Sequence, residues 1–242
     1  MLLQSVVDEE LDERIQVVDP GREPGIAHRI VQGSTGQEAA ELARCGRSRK
    51  ALSELVTDLD LRALFAIYGG AHGAWAHPMV LATLVGEGWT ALALLPLLGW
   101  ARTRRFAGWL AGGVVVQAVL VWGLKAAFGR LRPWIALGLP DPFGSPHDPS
   151  FPSGHAAGSF CVAAFLALAL PAAWPDAHRR RRAVVVLVAG LAGLIALSRV
   201  YLGMHFPSDV AAGAVLGTVV GGLAGGLYAR GRSGVEGAAK RG

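Results

Sequence analysis

Residues 106–124 read FAGWLAGGVVVQAVLVWGL, an apolar run without a charged residue that ends at Lys125. A helix needs about 20 apolar residues to cross the hydrocarbon core of a bilayer. Four further runs are similarly apolar: Met79–Trp100, Ala156–Trp174, Ala183–Ser198 and Val210–Tyr228. They are too continuously apolar for half-buried strands, and a bilayer forbids open sheet edges. The sequence therefore predicts an all-α polytopic bundle with five transmembrane helices.

The remaining sequence is divided by its polarity. Residues 1–57 are polar and mixed in charge, which predicts a weakly ordered N-terminal extension. Residues 58–229 make up the predicted membrane-embedded domain, and residues 230–242 make up a basic cytoplasmic tail. Leu61–Trp75 is apolar but short and contains a Gly-Gly pair, so we expect a helix lying at the membrane interface. This segment is also the candidate for a sixth span.

The composition separates the chain from soluble and nucleic-acid-binding proteins. Hydrophobic residues make up 52% of the 242 residues, and charged residues only 17%, against about 25% charged in soluble domains. The net charge is +5, but 12 of the 18 acidic residues lie within residues 1–60. The basic part of the chain is therefore also its apolar part. This combination is typical of a membrane protein with basic loops, and we expect no nucleic-acid partner.

The basic connections predict the orientation in the membrane. Ala101–Arg105 contains three arginines, Arg179–Arg182 are four in a row, and more basic residues follow Tyr228. Basic connections belong on the cytoplasmic side. We therefore expect a multi-pass protein of the cytoplasmic membrane, with Gly129–Gly154 and Tyr201–Ser208 on the external face.

Polar residues that could bind a ligand or take part in catalysis cluster where the spans end on that external side. The clusters are Lys125 with Arg132-Pro133, then Pro152-Ser153-Gly154-His155, and finally Ser198-Arg199 with His205 and Asp209. Lys125, Arg132 and Arg199 are cations suited to phosphate oxygens. Ser153 and Gly154 open a predicted helix, whose free backbone N–H groups attract anions. Together these five residues predict a cage for a phosphoryl group.

The two histidines add reactivity to this cage. His205 and Asp209 are four residues apart, which places them on one face of a helix, and Pro207 suits the first turn of that helix. A carboxylate bonded to one imidazole nitrogen would fix the tautomer and leave the other nitrogen free to attack. His205 is therefore the candidate nucleophile, and His155 is the candidate general acid.

These clusters, KAAFGRLRP (125–133), PSGH (152–155) and SRVYLGMHFPSD (198–209), resemble the three signature motifs of the type 2 phosphatidic acid phosphatase family. That family is related to the vanadium haloperoxidases. The resemblance covers roughly residues 61–229 and leaves the N-terminal extension uncovered. Members commonly have six spans, whereas five are counted here.

The resemblance implies a role for each matching residue. His205 would attack phosphorus and form a phosphohistidine, Asp209 would orient it, and His155 would protonate the leaving group. The phosphate oxygens would be held by five residues: Lys125, Arg132, Ser153, Gly154 and Arg199. No metal or other cofactor is implied. Arg130 lies inside the first motif at a variable position, and we leave it outside the predicted site.

The resemblance also implies the class of substrate. The chain would hydrolyse phosphate monoesters or pyrophosphates of lipids at the external face of the membrane. Phosphatidic acid, phosphatidylglycerol phosphate and undecaprenyl pyrophosphate are the candidates, because the motifs bind phosphate and do not read the lipid tail. The alternatives are a vanadate-dependent haloperoxidase and a non-enzymatic membrane protein that binds anions. The oligomeric state is open.

Residues outside the motifs carry weaker predictions. Gly213, Gly217, Gly221 and Gly225 form a stripe on the last span, which favours helix packing within the bundle over a dimer interface. Glu87 lies inside an apolar run, where it either pairs within the bundle or serves the site. The Pro-rich loop that contains Asp141, His147 and Asp148 is expected to shape substrate entry, with a metal site as the alternative.

Overall fold

The computed structural model describes residues 56–70, 74–86, 103–141 and 147–239, and every regular element within these ranges is helical. The helices are α1 (residues 56–67), α2 (Ala76–Val85), α3 (Arg104–Phe128), α4 (Pro133–Ala136), α5 (Gly154–Ala173), α6 (His178–Tyr201) and α7 (Pro207–Ala239). Apart from Val56, the described residues belong to one compact unit, Thr57–Gly242. The all-α prediction is confirmed.

Four of the five predicted spans are confirmed as helices long and apolar enough to cross a membrane. They are Arg104–Ala136, which joins α3 and α4, Gly154–Ala173, His178–Tyr201 and Pro207–Arg232. The 25 residues of α3 correspond to about 37 Å of helix, enough for a hydrocarbon core of about 30 Å. The fifth predicted span, Met79–Trp100, is described only as far as residue 86 and is represented by α2.

The predicted domain boundaries fall partly outside the described residues. Only the last two residues of the predicted extension, 1–57, are described, and both are helical. The segment Leu61–Trp75 contains the second half of α1, which ends at residue 67. At the other terminus α7 continues to Ala239, so the first ten residues of the predicted tail are helical.

A glycine and a proline shape the chain after α3. Gly129 has a φ of 58°, and its N–H group bonds the carbonyl of Lys125 at 3.0 Å, which ends the helix. Arg132 is extended, as the residue before a proline usually is, and Pro133 begins α4. Because the helix stops between them, Lys125 and Arg132 both face the end of the bundle where α5 begins.

Helix α5 lies at the centre of the bundle, in contact with α3, α6 and α7. One cluster of buried core residues consists of Leu110, Phe165, Ala169, Ala224 and Tyr228. Phe106 packs edge-on against two of these rings, with centroid distances of 5.1 Å to Phe165 and 5.4 Å to Tyr228. Large apolar side chains point outward from all four spans, among them Val119, Leu168, Leu187 and Leu223. An outward apolar surface is what a lipid-facing helix requires.

The glycine stripe on α7 packs against α5, as predicted for contact within the bundle. A Cβ atom on Gly213 would lie 2.4 Å from the carbonyl oxygen of Ser153. On Gly217 and Gly221 it would lie 2.0 Å from the carbonyl oxygens of Ala157 and Cys161, respectively. These distances leave no space for a side chain, so glycine allows the two backbones to touch.

Candidate active site

The predicted site residues meet at one end of the bundle, although they come from four elements and the turns between them. Lys125 lies in the last turn of α3, and Arg199 lies in the last turn of α6. Gly154 and His155 begin α5, and the N–H of Ser153, the residue before the helix, bonds the carbonyl of Asp209 at 3.0 Å. His205 lies in the turn before α7, where its N–H bonds the carbonyl of Arg199 at 3.1 Å. Backbone contacts therefore join the second and third motifs directly.

One prediction about this region is wrong. His205 does not share a helix with Asp209, because Pro207 begins α7 and His205 precedes it in a non-helical turn. The turn follows Gly203, whose φ of 70° is left-handed and suits glycine. The His205 imidazole and the Asp209 carboxylate are 3.8 Å apart at their nearest nitrogen and oxygen, which is too far for a direct hydrogen bond.

Ser150 bridges the gap between His205 and Asp209. Its hydroxyl donates to Oδ2 of Asp209 at 2.5 Å, and its Oγ lies 3.2 Å from Nδ1 of His205. The Ser150 hydroxyl proton therefore lies in the hydrogen bond to Asp209. The Ser150 Oγ can then accept a second hydrogen bond, from Nδ1–H of the imidazole. On the other side of the ring, Nη1 of Arg132 approaches Nε2 at 3.3 Å. These partners assign the proton to Nδ1 and the lone pair to Nε2.

Burial keeps the His205 imidazole uncharged. The side chain is fully enclosed, and this burial lowers the pKa of His205 to about 3, although Asp209 acts in the opposite direction. Neighbouring Arg199 and Arg132 lower the pKa further. A neutral imidazole with Nε2 unprotonated is the form that can act as a nucleophile.

Asp209 is held by several donors, including one residue that the sequence analysis left out. Nη1 of Arg130 donates to Oδ1 of Asp209 at 2.6 Å, and the backbone N–H of Phe206 donates to Oδ2 at 2.9 Å. The other Arg130 nitrogen, Nη2, pairs with Asp60 of α1 at 2.7 Å. Asp60 therefore reaches the site from outside the motifs.

Two of the predicted phosphate-binding cations share a carboxylate. Lys125 donates to Oδ2 of Asp148, and Nη2 of Arg132 donates to Oδ1 of the same residue at 2.7 Å. Although burial opposes it, the hydrogen bond from Lys125 and the charge of Arg132 hold the pKa of Asp148 below its usual range. The Asp148 carboxylate is therefore ionised at neutral pH and occupies a position suited to an anion.

Ser153 and His155 present polar atoms without described partners. Ser153 is the residue before α5, at the N-cap position, and its side chain makes no capping hydrogen bond. Its buried Oγ and the buried Nε2 of His155 have no hydrogen-bond partner among the described residues. Buried polar atoms are rarely left unsatisfied, and a missing ligand or water is one explanation.

The remaining sequence predictions at the site are less constrained. A Cβ on Gly154 would contact Val121 at an ordinary 3.7 Å, so the approach of a ligand to this backbone stays a prediction. Gly86 at the end of α2 lies against His155, since a Cβ there would be 3.3 Å from the imidazole Cδ2. Glu87 lies outside the described residues.

Sequence reasoning missed three residues of this arrangement: Ser150, Arg130 and Asp60. Arg130 carries a local signal, because it is a charged residue two positions before Arg132. Ser150 lies three positions before Ser153, but no pattern distinguishes its hydroxyl from those of other loop serines. Asp60 lies 149 positions before Asp209 in a polar stretch, and no local pattern identifies it.

The fold and site define a class of protein: a multi-pass membrane protein whose two histidines lie among lysine and arginine side chains at one end of the bundle. The model of the PAP2 superfamily matches residues 106–230 of the chain. The chain therefore belongs to the PAP2 superfamily. This confirms the family recognised from the motifs, and the phosphatase relatives described next confirm the expected enzyme class, a phosphoric ester hydrolase.

Similar proteins include phosphatases from two bacteria. A decaprenylphosphoryl-5-phosphoribose phosphatase of Mycobacterium tuberculosis is 37% identical over 142 residues, which are 56% of this chain and 69% of that protein. Phosphatidylglycerophosphatase B of Bacillus subtilis is 34% identical over 105 residues, which are 42% of this chain and 52% of that protein.

Two crystal structures have a similar fold. A transmembrane PAP2-type phosphatidylglycerolphosphate phosphatase from Bacillus subtilis superimposes with a TM-score of 0.61 at 26% identity, covering 72% of this chain and 86% of that chain. LpxE from Aquifex aeolicus superimposes with a TM-score of 0.54 at 30% identity, covering 69% of this chain and 94% of that chain.

Proposed function

We propose that this chain hydrolyses the terminal phosphate monoester of a membrane lipid, and that the reaction passes through a phosphohistidine on His205. The observation that carries the proposal is the state of the His205 ring. Its Nδ1 is engaged by Ser150, and its unprotonated Nε2 lies 3.3 Å from Nη1 of Arg132. An arginine beside a nucleophilic nitrogen can hold the phosphate that the nitrogen attacks.

The reaction would proceed in two displacements. Nε2 of His205 forms a bond to phosphorus while the bond from phosphorus to the lipid oxygen breaks, and His155 gives that oxygen its proton. Water then attacks phosphorus, the phosphorus–nitrogen bond breaks, and His155 takes a proton from the water. The buried Nε2 of His155 has no described hydrogen-bond partner, which is consistent with a group awaiting the substrate oxygen.

Fixed cations would stabilise the charge of the five-coordinate transition state. Lys125, Arg132 and Arg199 would bind the phosphate oxygens, with the Ser153 hydroxyl and the Gly154 backbone completing the cage. Positive groups that are already in place stabilise developing charge without the cost of reorganisation. The proposed reaction therefore needs no metal.

The relatives favour a monoester over a diphosphate. Phosphatidylglycerophosphatase and decaprenylphosphoryl-5-phosphoribose phosphatase are both named for lipids that end in a phosphate monoester. The lipid chain would stay in the bilayer while its phosphate enters the site. The distribution of basic residues supports a site on the external face of the cytoplasmic membrane.

The test is phosphate release by the detergent-purified protein in the presence of EDTA. The substrates are phosphatidic acid, phosphatidylglycerol phosphate, decaprenylphosphoryl-5-phosphoribose and undecaprenyl pyrophosphate. We expect release from at least one monoester and a fall in kcat of about 10³-fold or more in His205→Ala. His178→Ala, an exposed histidine at the opposite end of α6, is the matched control and should keep full activity.

The other outcomes discriminate between the alternatives. Full activity in His205→Ala would contradict the mechanism. Bromide oxidation that requires added vanadate would indicate a haloperoxidase. An absence of turnover and of acid-labile phosphate on the protein, with inorganic phosphate still bound, would indicate an anion-binding protein.

A further inference from the structure

We infer that Asp60 and Arg130 are positioning residues that hold the Asp209 carboxylate, and through it Ser150 and His205, in the reactive arrangement. This inference rests on the proposed function, because it concerns the same histidine. Asp60 lies on α1, well before the residues matched by the family model, which begin at residue 106. A helix outside the matched region would thus help to align the nucleophile.

The contacts form a continuous chain of charged and polar groups. Arg130 donates from Nη2 to Asp60 at 2.7 Å and from Nη1 to Asp209 at 2.6 Å. Asp209 in turn accepts the Ser150 hydroxyl, which lies beside Nδ1 of His205. One guanidinium therefore bridges two carboxylates, and each link in the chain is of hydrogen-bond length.

The bridging arginine has little freedom to move. Its guanidinium carbon lies 4.1 Å from the centre of the Phe206 ring, a stacked cation–π contact. Nη1 also donates to Ser208 Oγ at 2.7 Å, and the Arg130 carbonyl accepts the Ser150 N–H at 2.7 Å. The same residue thus fixes both the Asp209 side chain and the Ser150 backbone.

Asp60 completes the arrangement from the other side. Its Oδ1 accepts the Ser208 N–H at 2.8 Å at the start of α7, and its Oδ2 accepts the Ser208 hydroxyl. The Asp60 side chain is 4% exposed, compared with 29% for Arg130 and 0% for Asp209. A buried carboxylate at a helix start is stabilised by the free N–H groups and by the arginine charge.

These contacts predict a specific kinetic signature. Among the described residues, the side chains of Asp60 and Arg130 contact each other, Ser208, Asp209 and Phe206, rather than the three proposed phosphate-binding cations. Removing the Asp60 charge should therefore disturb the alignment of His205 but leave the phosphate cage in place. A purely structural clamp would instead lower thermal stability and leave kcat of the folded protein unchanged.

The experiment compares two isosteric changes on α1. Asp60→Asn removes the buried charge, and Asp58→Asn is the matched control, because Asp58 is 51% exposed and pairs with Arg62 at the surface. For each purified protein we would measure kcat, KM, the inhibition constant for inorganic phosphate, and Tm in detergent. Arg130→Met, Arg130→Lys and the double variant Asp60→Asn/Arg130→Met complete the set.

We expect kcat of Asp60→Asn to fall about 10- to 100-fold, the range typical when a group that orients an active residue is removed. KM and the phosphate inhibition constant should stay within about twofold, and Asp58→Asn should match the wild type. Arg130→Lys should keep more activity than Arg130→Met. The double variant should be no slower than Arg130→Met alone, because residues that act through one another are not additive.

Several results would overturn the inference. An unchanged kcat in Asp60→Asn, or a weakening of phosphate inhibition equal to the loss of kcat, would contradict it. If Asp60→Asn does not fold, Ser208→Ala replaces it, and an unchanged kcat there would have the same meaning. A wild type without phosphatase activity overturns the proposed function and this inference together. An active wild type that depends on His205, with a fully active Asp60→Asn, overturns the inference alone.

Discussion

At the scale of the residue, Ser150 is the link between His205 and Asp209. Its Oγ is 2.5 Å from the carboxylate and 3.2 Å from the imidazole, whereas the imidazole and carboxylate are 3.8 Å apart. Ser150→Ala should lower kcat about 10- to 100-fold, because Nδ1–H loses its acceptor and the tautomer is no longer fixed. The measurement is kcat and KM for the best lipid substrate, with KM expected to stay near the wild-type value.

Ser159→Ala is the control for this change. The Ser159 hydroxyl donates to the carbonyl of His155, so this hydrogen bond lies within α5. A Ser150→Ala variant as active as Ser159→Ala would contradict this role. It would show that His205 and Asp209 form a direct hydrogen bond during turnover, after a small movement that closes the gap between them.

Asp148 is the second residue whose role depends on where the fold places it. Its carboxylate pairs with Lys125 and Arg132, the cations proposed to bind substrate phosphate. Phosphate must displace this carboxylate, so Asp148→Asn should strengthen inhibition by inorganic phosphate. Because Asp148 is 46% exposed and screened by solvent, we expect a modest change of about fivefold in the inhibition constant.

Asp141→Asn, the same change at an exposed position of the loop that precedes Asp148, should leave phosphate inhibition unchanged. Weaker inhibition in Asp148→Asn would mean that the carboxylate organises the cations rather than competing with phosphate for them.

At the scale of the element, the contact between α5 and α7 depends on the absence of side chains. A Cβ on Gly217 would lie 2.0 Å from the carbonyl oxygen of Ala157. Gly217→Ala must therefore separate the helices or distort them, and we expect a loss of about 1–3 kcal/mol of stability. The measurement is Tm of the purified variant in detergent, together with kcat, because α7 also carries Asp209 in its first turn.

Gly226→Ala on the same helix is the matched control. A Cβ there meets no described atom within 4 Å, and replacing glycine by alanine in a helix is favourable by about 0.5–1 kcal/mol. Gly226→Ala should therefore match or exceed the wild-type Tm. Equal Tm values for the two variants would show that the close approach of α5 and α7 is not required.

The same scale shows what sequence can and cannot predict. The four long helices are evident from their apolar runs, because crossing a bilayer demands a length and composition that little else produces. The motif residues are evident because their residue types are chemically specific. The position of His205 outside α7 could not be predicted in this way, because a spacing of four residues also fits one turn of helix. In the structure the chain turns at Gly203, and α7 begins only at Pro207.

Residues that join the site only through the tertiary fold could not be predicted from local sequence patterns. Asp60 joins the site because α1 meets the start of α7, where Asp60 accepts the Ser208 N–H. No periodicity or motif spacing encodes that contact. Ser150 is similar, because its role depends on the 3.8 Å gap that it fills between His205 and Asp209.

At the scale of the whole molecule, the two ends of the bundle differ in how their arginines are arranged. At the site end, Arg130 pairs with Asp60 and Asp209, and Arg132 pairs with Asp148. The opposite end carries the arginines of Arg179–Arg182 at the start of α6. It also carries Arg104 and Arg105 at the start of α3, where a Cβ on Gly231 of α7 would lie 2.3 Å from the Arg105 side chain. Within the part of the chain that the structure describes, the arginine-rich helix starts therefore lie at the end away from the site.

This asymmetry predicts that the site faces outward, since arginine-rich connections stay on the cytoplasmic side. The test is cysteine labelling. Cys45 is first replaced by serine, Cys161 is buried and stays in place, and one new cysteine is then introduced at either end of the bundle. The positions are the exposed Asp141 near the site and the exposed Asp176 in the opposite connection; Asp176→Cys leaves every arginine in place. A membrane-impermeant maleimide should label Asp141→Cys in intact cells and Asp176→Cys only after permeabilisation. The reverse pattern would place the proposed phosphatase site in the cytoplasm, where it would act on lipids of the inner leaflet.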